Sequence, residues 1–177
     1  MTHKPGLAHV GIPGYEGYSG SPKIVNAGEG FDLDVYIVDD NYNRVTSAAD
    51  VEVQLSSTDP NATVDGIPLA TTVTVTNGGF STINMVLRTV GDTGQQTITA
   101  DHPDVGIEDD TSPPISVRHA ALDHFYVSAP SGPILAGESF NITIQARDAY
   151  ENICDDRNGG TPFNDTVDLA ASSGTNT

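Results

Sequence analysis

An internal repeat is the feature that most constrains how this chain can fold. Residues 27–45 read AGEGFDLDVYIVDDNYNRV, and residues 136–153 read AGESFNITIQARDAYENI. Both stretches begin with Ala-Gly-Glu-x-Phe, alternate apolar and polar residues, and contain Asp-x-Tyr towards their ends. Gly28 and Gly137 are 109 positions apart. A period of about 110 residues is too long for a solenoid repeat and predicts a tandem array of independent β domains.

The repeat extends beyond these two stretches. LAHV at Leu7 corresponds to LDHF at Leu122, and VEVQLSS in the first copy corresponds to TVDLAAS in the second. We therefore predict a complete domain over residues 1–121 and the first half of a second domain over residues 122–177. The second copy lacks counterparts of the later strands. We expect these strands to come from a longer parent chain or from a neighbouring molecule.

Alternation of apolar and polar residues predicts an all-β fold. Apolar residues occupy every second position of the repeated stretch: Phe31, Leu33, Val35 and Ile37 in the first copy, and Phe140, Ile142, Ile144 and Ala146 in the second. The same period of two predicts strands over residues 51–55, 73–75, 83–87 and 98–100. NGG at residues 77–79 predicts a hairpin turn. Short strands at this spacing favour an antiparallel β-sandwich.

This register predicts which residues are buried. We expect Phe31 and Leu33 in the core, and Asp32 and Asp34 in water. In the second copy we expect Phe140, Ile142 and Ile144 to form an apolar face that residues 122–177 cannot cover by themselves.

The turn after each repeated strand carries an aspartate and a tyrosine. Asp40 and Asp148 are expected to accept hydrogen bonds from their own turn backbone, as aspartate often does. The tyrosines that follow them are expected to pack across the same turn.

AGESFNITIQARDAYENI resembles a signature of bacterial Ig-like repeat domains of large secreted and cell-surface proteins. TNGGFSTINMVLRTVGDTGQQTITADH, in the first copy, is similar to a later segment of that family. The sequence departs from the family pattern at IVDDNYN and at Glu151, where the family has glycine. The resemblance implies an Ig-like β-sandwich, an extracellular or cell-surface location and a scaffold role.

The charge of the chain limits its partners. With 24 acidic and 7 basic residues, the net charge is −17. Such a surface repels phosphate backbones and anionic lipid, so we expect neither nucleic acid nor a membrane surface as a partner. No apolar run reaches the roughly 18 residues that a membrane span requires, and the N-terminal residues show no secretory signal. Cys154 is the only cysteine, so no disulfide can form within one chain.

No catalytic or cofactor-binding residue is predicted. The five histidines are His3, His9, His102, His119 and His124, and none lies at zinc-ligand spacing. His9 and His124 occupy matching positions of the repeat, which favours a structural role for both. Nucleophile, phosphate-binding and dinucleotide motifs are absent from the sequence. We therefore expect the protein not to be an enzyme.

Two acidic loops raise the question of calcium. DHPDVGIEDD and NICDDRNGG offer oxygen ligands: Asp101, Asp104, Glu108, Asp109 and Asp110 in the first, and Asp155, Asp156 and Asn158 in the second. Neither has EF-hand spacing. We interpret both as solvated loops, keep Ca²⁺ as the alternative, and assign no metal ligand.

The sequence thus predicts a non-catalytic, structural or adhesive Ig-like segment of an extracellular surface protein. Its expected partners are neighbouring Ig-like domains or other copies of the chain. One alternative is a subunit of an extracellular filament, a homopolymer in which one molecule completes the half-domain of the next. A second alternative is an accessory carbohydrate-binding module of a secreted hydrolase. The absence of Trp disfavours the second, because sugars stack on exposed aromatic rings.

Overall fold

The computed structural model describes residues 24–39, 44–46, 49–76, 79–91, 95–103 and 109–170. In chain order the strands are β1 (Ile24–Asn26), β2 (Gly30–Tyr36), β3 (Val51–Ser57), β4 (Thr63–Val64), β5 (Ile67–Pro68), β6 (Thr71–Val75), β7 (Phe80–Val86), β8 (Gln95–Gln96), β9 (Ile98–Asp101), β10 (Asp110–Thr111), β11 (Ile115–Arg118), β12 (Leu122–Ser128) and β13 (Thr143–Asp148). A single 3₁₀ turn covers Arg157–Gly159, and the described residues contain no α-helix. The prediction of an all-β fold is confirmed for this part of the chain. Within it, no helix is long and apolar enough to cross a membrane.

Three sheets make up the N-terminal segment, residues 24–121. Their strand orders are β2-β7-β4-β5, β10-β9-β3-β6 and β1-β11-β8. Strand β1 runs parallel to β11, and the other strand pairs in these sheets are antiparallel. All three sheets contribute to one buried apolar cluster, which includes Val25, Phe31, Leu33, Leu55, Val75, Met85, Ile98 and Val117.

The period of two in β2 sets the core register as predicted. Phe31 and Leu33 are buried and Asp32 is exposed, because successive side chains of a strand point to opposite faces. Asp34 is half-buried rather than fully in water. Its carboxylate accepts a hydrogen bond of 2.7 Å from the Thr82 hydroxyl on the neighbouring strand β7.

The predicted hairpin at residues 77–79 is wrong. Strands β6 and β7, which flank this turn, belong to different sheets. The Gly79 amide donates to the Thr76 carbonyl at 3.1 Å, so a turn does form there. It carries the chain from one sheet to the other. Asn77 and Gly78 lie outside the described residues.

The C-terminal segment, residues 122–170, contains one antiparallel sheet of two strands, β12 and β13. Strand β13 begins at Thr143, so the strand predicted from Phe140 starts three residues late. Residues 140–142 pair with no strand among the described residues, whereas their counterparts in β2 pair with β7. Strand β13 is shorter than β2 because residues 140–142 have no neighbouring strand to hydrogen-bond with, and a strand is defined by such pairing.

Large apolar side chains of the C-terminal segment remain in water. Phe140 is 52% exposed, whereas Phe31, its counterpart in the first copy, is 4% exposed. The others include Leu122, Phe125, Val127, Leu135, Ile142 and Leu169. Phe163 covers part of Phe125 edge-on, with ring centroids 5.1 Å apart. No layer among the described residues covers these apolar side chains, which we refer to together as the open face.

The two copies share one turn geometry. Gly28 and Gly137 have φ of 81° and 89°, which fits the third position of a type II β-turn. The Glu29 amide donates to the Asn26 carbonyl at 2.9 Å, and the Glu138 amide donates to the Leu135 carbonyl at 3.0 Å. Glycine is required in both turns because a side chain would strain this backbone region.

Candidate functional site

A buried polar network lies where the two copies meet. Strand β11 ends at Arg118 and β12 begins at Leu122, so three residues link the segments. The loop over residues 148–160 of the C-terminal segment folds back onto the N-terminal segment through the hydrogen bonds described below. We call this arrangement the junction.

Asp148 is the centre of the junction. Its side chain is fully buried, and its carboxylate accepts hydrogen bonds from the Tyr150 and Asn152 amides, both at 2.9 Å. These bonds confirm the prediction that Asp148 bonds its own turn; Asp40 lies outside the described residues. The second carboxylate oxygen accepts from the Ala120 amide in the linker, at 2.8 Å. Hydrogen bonds from several N–H groups make a buried carboxylate tolerable, because they replace its lost hydration.

Asn152 joins the two segments directly. Its side-chain nitrogen donates to the Arg88 carbonyl at 2.7 Å and to Asp148 at 2.9 Å. Its side-chain oxygen accepts from the buried Val90 amide at 2.9 Å. One amide side chain therefore satisfies a donor and an acceptor of the backbone that follows β7, as a neighbouring strand would.

Two further side chains cross the junction. Arg157 donates from Nη1 to the Gly91 carbonyl at 2.7 Å, and Asn158 donates from Nδ2 to the Val117 carbonyl at 2.6 Å. The Nε of Arg157 also pairs with Asp155 at 2.8 Å. Burial alone would raise the pKa of the Asp155 carboxyl, but the hydrogen bonds and charge of Arg157, together with His119, outweigh burial and lower it.

Tyr150 contacts the N-terminal segment instead of packing across its own turn. A Cβ atom at Gly28 would clash with the Tyr150 hydroxyl, so the ring occupies the space above this glycine. The Arg88 guanidinium lies 5.9 Å from the ring centroid. Gly28 is therefore constrained twice, by its positive φ and by the tyrosine.

Cys154 is buried beside the junction. Burial raises the pKa of its thiol, and the nearby carboxylates of Asp148 and Asp155 raise it further. The thiolate is the reactive form of cysteine, so this environment makes Cys154 a poor nucleophile.

The described histidines make local contacts. His119 Nδ1 donates to the Ala120 carbonyl at 2.6 Å, while its buried Nε2 has no hydrogen-bond partner among the residues that the structure describes. His124 lies between Asp123 at 3.0 Å and Glu151 at 3.4 Å. His102 is half-buried, and His3 and His9 lie outside the described residues.

The acidic loops do not converge on a cation in the described part of the chain, where no group of three His, Cys, Asp or Glu side chains is placed to hold a metal. Asp101, Asp109 and Asp110 are exposed, and Asp104 and Glu108 are not described. In the second loop, Asp155 binds Arg157 and Asn158 binds the Val117 carbonyl, while Asp156 is exposed.

Sequence reasoning found Asp148 but missed the role of Asn152. The backbone partners of its side chain, the Val90 amide and the Arg88 carbonyl, are 62 and 64 residues away. The repeated turn marks the position of Asn152 but gives no signal for a partner so distant.

No family model, curated protein or solved structure matches the chain. Function must therefore be inferred from the residues and their contacts.

Proposed function

We propose that the chain is a non-catalytic segment of tandem Ig-like β-sandwich domains in an extracellular or cell-surface protein, where it serves as a structural or adhesive spacer. Residues 1–121 form one complete domain, and residues 122–177 form the first half of the next. Its partners are neighbouring Ig-like domains or other copies of the chain, and it uses no cofactor.

The junction is the observation that carries this proposal. A spacer must hold successive domains at a fixed angle, and a flexible linker alone would not do so. Here three residues connect the segments. Hydrogen bonds from Asn152, Arg157 and Asn158 fasten the second segment to the backbone of the first. Two of the buried polar residues, Asp148 and Asn152, lie at this junction, which suits a mechanical role.

Labelling of intact cells tests the location. An antibody raised against the chain should label non-permeabilised cells of the source organism, while an antibody against a cytosolic protein labels only permeabilised cells. Labelling that requires permeabilisation would contradict the surface location. Turnover of any substrate that disappears on changing a single Asp or His would contradict the non-catalytic role.

The open face favours a second candidate function, a filament subunit assembled by strand complementation. Strand β12 has β13 on one edge and no described neighbour on the other, and Val127 on it is 54% exposed. An exposed, unpaired strand edge with apolar side chains is a template for a strand from another molecule.

Sedimentation of the full chain separates the two candidates. A filament subunit should assemble as its concentration rises, and Val127→Asp should prevent the assembly. Ile67→Asp is the matched control, because Ile67 is 56% exposed but lies in the N-terminal segment. A single species of 18.5 kDa at all concentrations would exclude the filament.

Hydrogen exchange tests the half-domain itself. If a missing layer must cover the open face, the amides around Ile142 should exchange much faster than those around Leu33 in the monomer. Equal protection would show that residues 122–177 are self-sufficient and would contradict the half-domain assignment.

A further inference from the structure

A cleft opens beside the junction, with walls from both segments. Pro60, Asn61, Thr63 and Pro68 line it on one side, Ala149, Tyr150 and Glu151 on the other, and Arg88 lies between them. Its volume of about 450 Å³ falls within the range of ligand-binding pockets, roughly 300–1,000 Å³. We call it the Arg88 cleft.

Arg88 is held in place but keeps hydrogen-bonding capacity. Its Nη1 donates to the Asn61 carbonyl at 2.7 Å and to the Thr63 hydroxyl at 3.1 Å. Arg147 and Arg157 each pair with a carboxylate, but Arg88 forms no ion pair within the described chain. A guanidinium carries five N–H donors, so a fixed arginine without a carboxylate can offer several of them to a ligand.

Tyr150 supplies an aromatic surface at the opposite wall. Its hydroxyl end lies over Gly28 and its ring is near Arg88, yet 37% of the residue remains exposed. Asn61 is exposed at the rim, where its side-chain nitrogen donates to the Thr89 hydroxyl. That bond uses the side-chain nitrogen, so the Asn61 side-chain oxygen keeps its capacity as an acceptor.

The charges around the cleft select the class of ligand. A cation would be repelled by Arg88. Arg88 would attract an anion, but the net charge of −17 opposes one, as do two nearby carboxylates: Asp59, which is buried and accepts from the Arg88 amide, and Glu151, which lines the cleft and pairs with Arg147. A purely apolar ligand would leave the Arg88 donors unpaired, which is unfavourable. A neutral ligand with hydroxyl groups and one apolar ring face meets all of these conditions.

We infer that the Arg88 cleft binds a neutral saccharide. One sugar ring stacks on Tyr150 while its hydroxyl groups accept hydrogen bonds from Arg88 and donate to Asn61. This inference goes beyond the spacer role and does not depend on it, because the cleft is formed by the junction whatever the location of the protein.

Titration of the full chain with defined sugars tests this site. Isotope-labelled protein is titrated with glucose, galactose, mannose, N-acetylglucosamine, maltose and lactose, and amide shifts are recorded. At least one sugar should bind with a dissociation constant of about 1–10 mM and shift the amides of Arg88, Ala149 and Tyr150. Glucuronate and glucosamine are the charged comparisons, and both should bind more weakly than the neutral sugar.

Matched variants separate a site from surface adsorption. Tyr150→Ala should weaken binding at least about tenfold, whereas Tyr150→Phe should keep it. Tyr126→Ala is the control. Like Tyr150, Tyr126 is partly exposed (43%) and has an arginine near its ring, with Arg147 Cζ 4.2 Å from the ring centroid, but it does not line the cleft. If Tyr150→Ala loses the native spectrum, Asn61→Ala at the exposed rim serves instead and should weaken binding several-fold.

Three results would overturn the inference. They are no shift in the cleft with any neutral sugar at about 100 mM, binding of glucuronate alone, or equal losses from Tyr150→Ala and Tyr126→Ala.

Discussion

Asn152→Ala is the sharpest test of the junction. The substitution removes the acceptor of the Val90 amide and the donor to the Arg88 carbonyl, while Asp148 keeps three backbone donors. The hydrogen bond to the Arg88 carbonyl is only partly buried, so water can replace the Asn152 donor and little free energy is lost there. The Val90 amide is buried, and a buried donor without a partner costs about 1–3 kcal/mol. We expect the junction to lose about 2 kcal/mol.

Native-state hydrogen exchange measures this loss at the affected amide. A loss of about 2 kcal/mol corresponds to a roughly 30-fold faster exchange of the Val90 amide. The amide of Leu33, which pairs with Ile83 of β7 and takes no part in the junction's hydrogen bonds, should exchange at its original rate. Urea unfolding followed in parallel shows whether the N-terminal segment keeps its own stability.

Asn164→Ala is the matched control, because it makes the same chemical change at an exposed residue away from the junction. It should alter stability by less than about 0.5 kcal/mol. If Asn152→Ala leaves exchange of the Val90 amide unchanged, the Asn152 bridge does not hold the segments together. The spacer proposal would then lose its main support.

Three further perturbations follow from the structure. Leu33→Ala should cost about 2–5 kcal/mol of unfolding free energy in urea titrations, whereas Asp34→Ala should change it by no more than about 0.5 kcal/mol; equal effects would refute the β2 register. Gly28→Ala should destabilise more than Gly137→Ala in thermal unfolding, since both strain a positive φ but only Gly28 meets Tyr150. Cys154 should react slowly with iodoacetamide at pH 7, because its raised pKa leaves little thiolate; rapid labelling of the folded chain would contradict its burial.

Local features of the fold were predictable from the sequence because they depend on near neighbours. Alternation in β2 identified Phe31 and Leu33 as core residues, since the period of two is fixed by strand geometry alone. The bonds from Asp148 to its own turn were predictable for the same reason: the donors are two and four residues away.

Features that depend on distant partners were not predictable. NGG marks a turn whether the next strand joins the same sheet or another one, so the crossing between β6 and β7 had no local signal. The late start of β13 reflects the absence of a neighbouring strand, which alternation does not report. Tyr150 and Gly28 are 150 − 28 = 122 positions apart, and the Asn152 side chain bonds to backbone groups 62 and 64 positions away.

Comparison of the turns at Gly28 and Gly137 shows which features depend on the local sequence and which depend on neighbouring strands. Ala-Gly-Glu gives the same turn at Gly28 and Gly137, with nearly equal φ. The apolar residues next to the first turn are nevertheless buried, whereas those next to the second are exposed. Phe31 is in the core and Tyr150 covers Gly28, whereas Phe140 is 52% exposed and, among the described residues other than its chain neighbours, none would contact a Cβ atom at Gly137. Since the turn is already formed in the second copy, a strand that covers the open face has only to bury side chains such as Phe140. Its binding should therefore raise the protection of the Ile142 amide without changing the turn at Gly137.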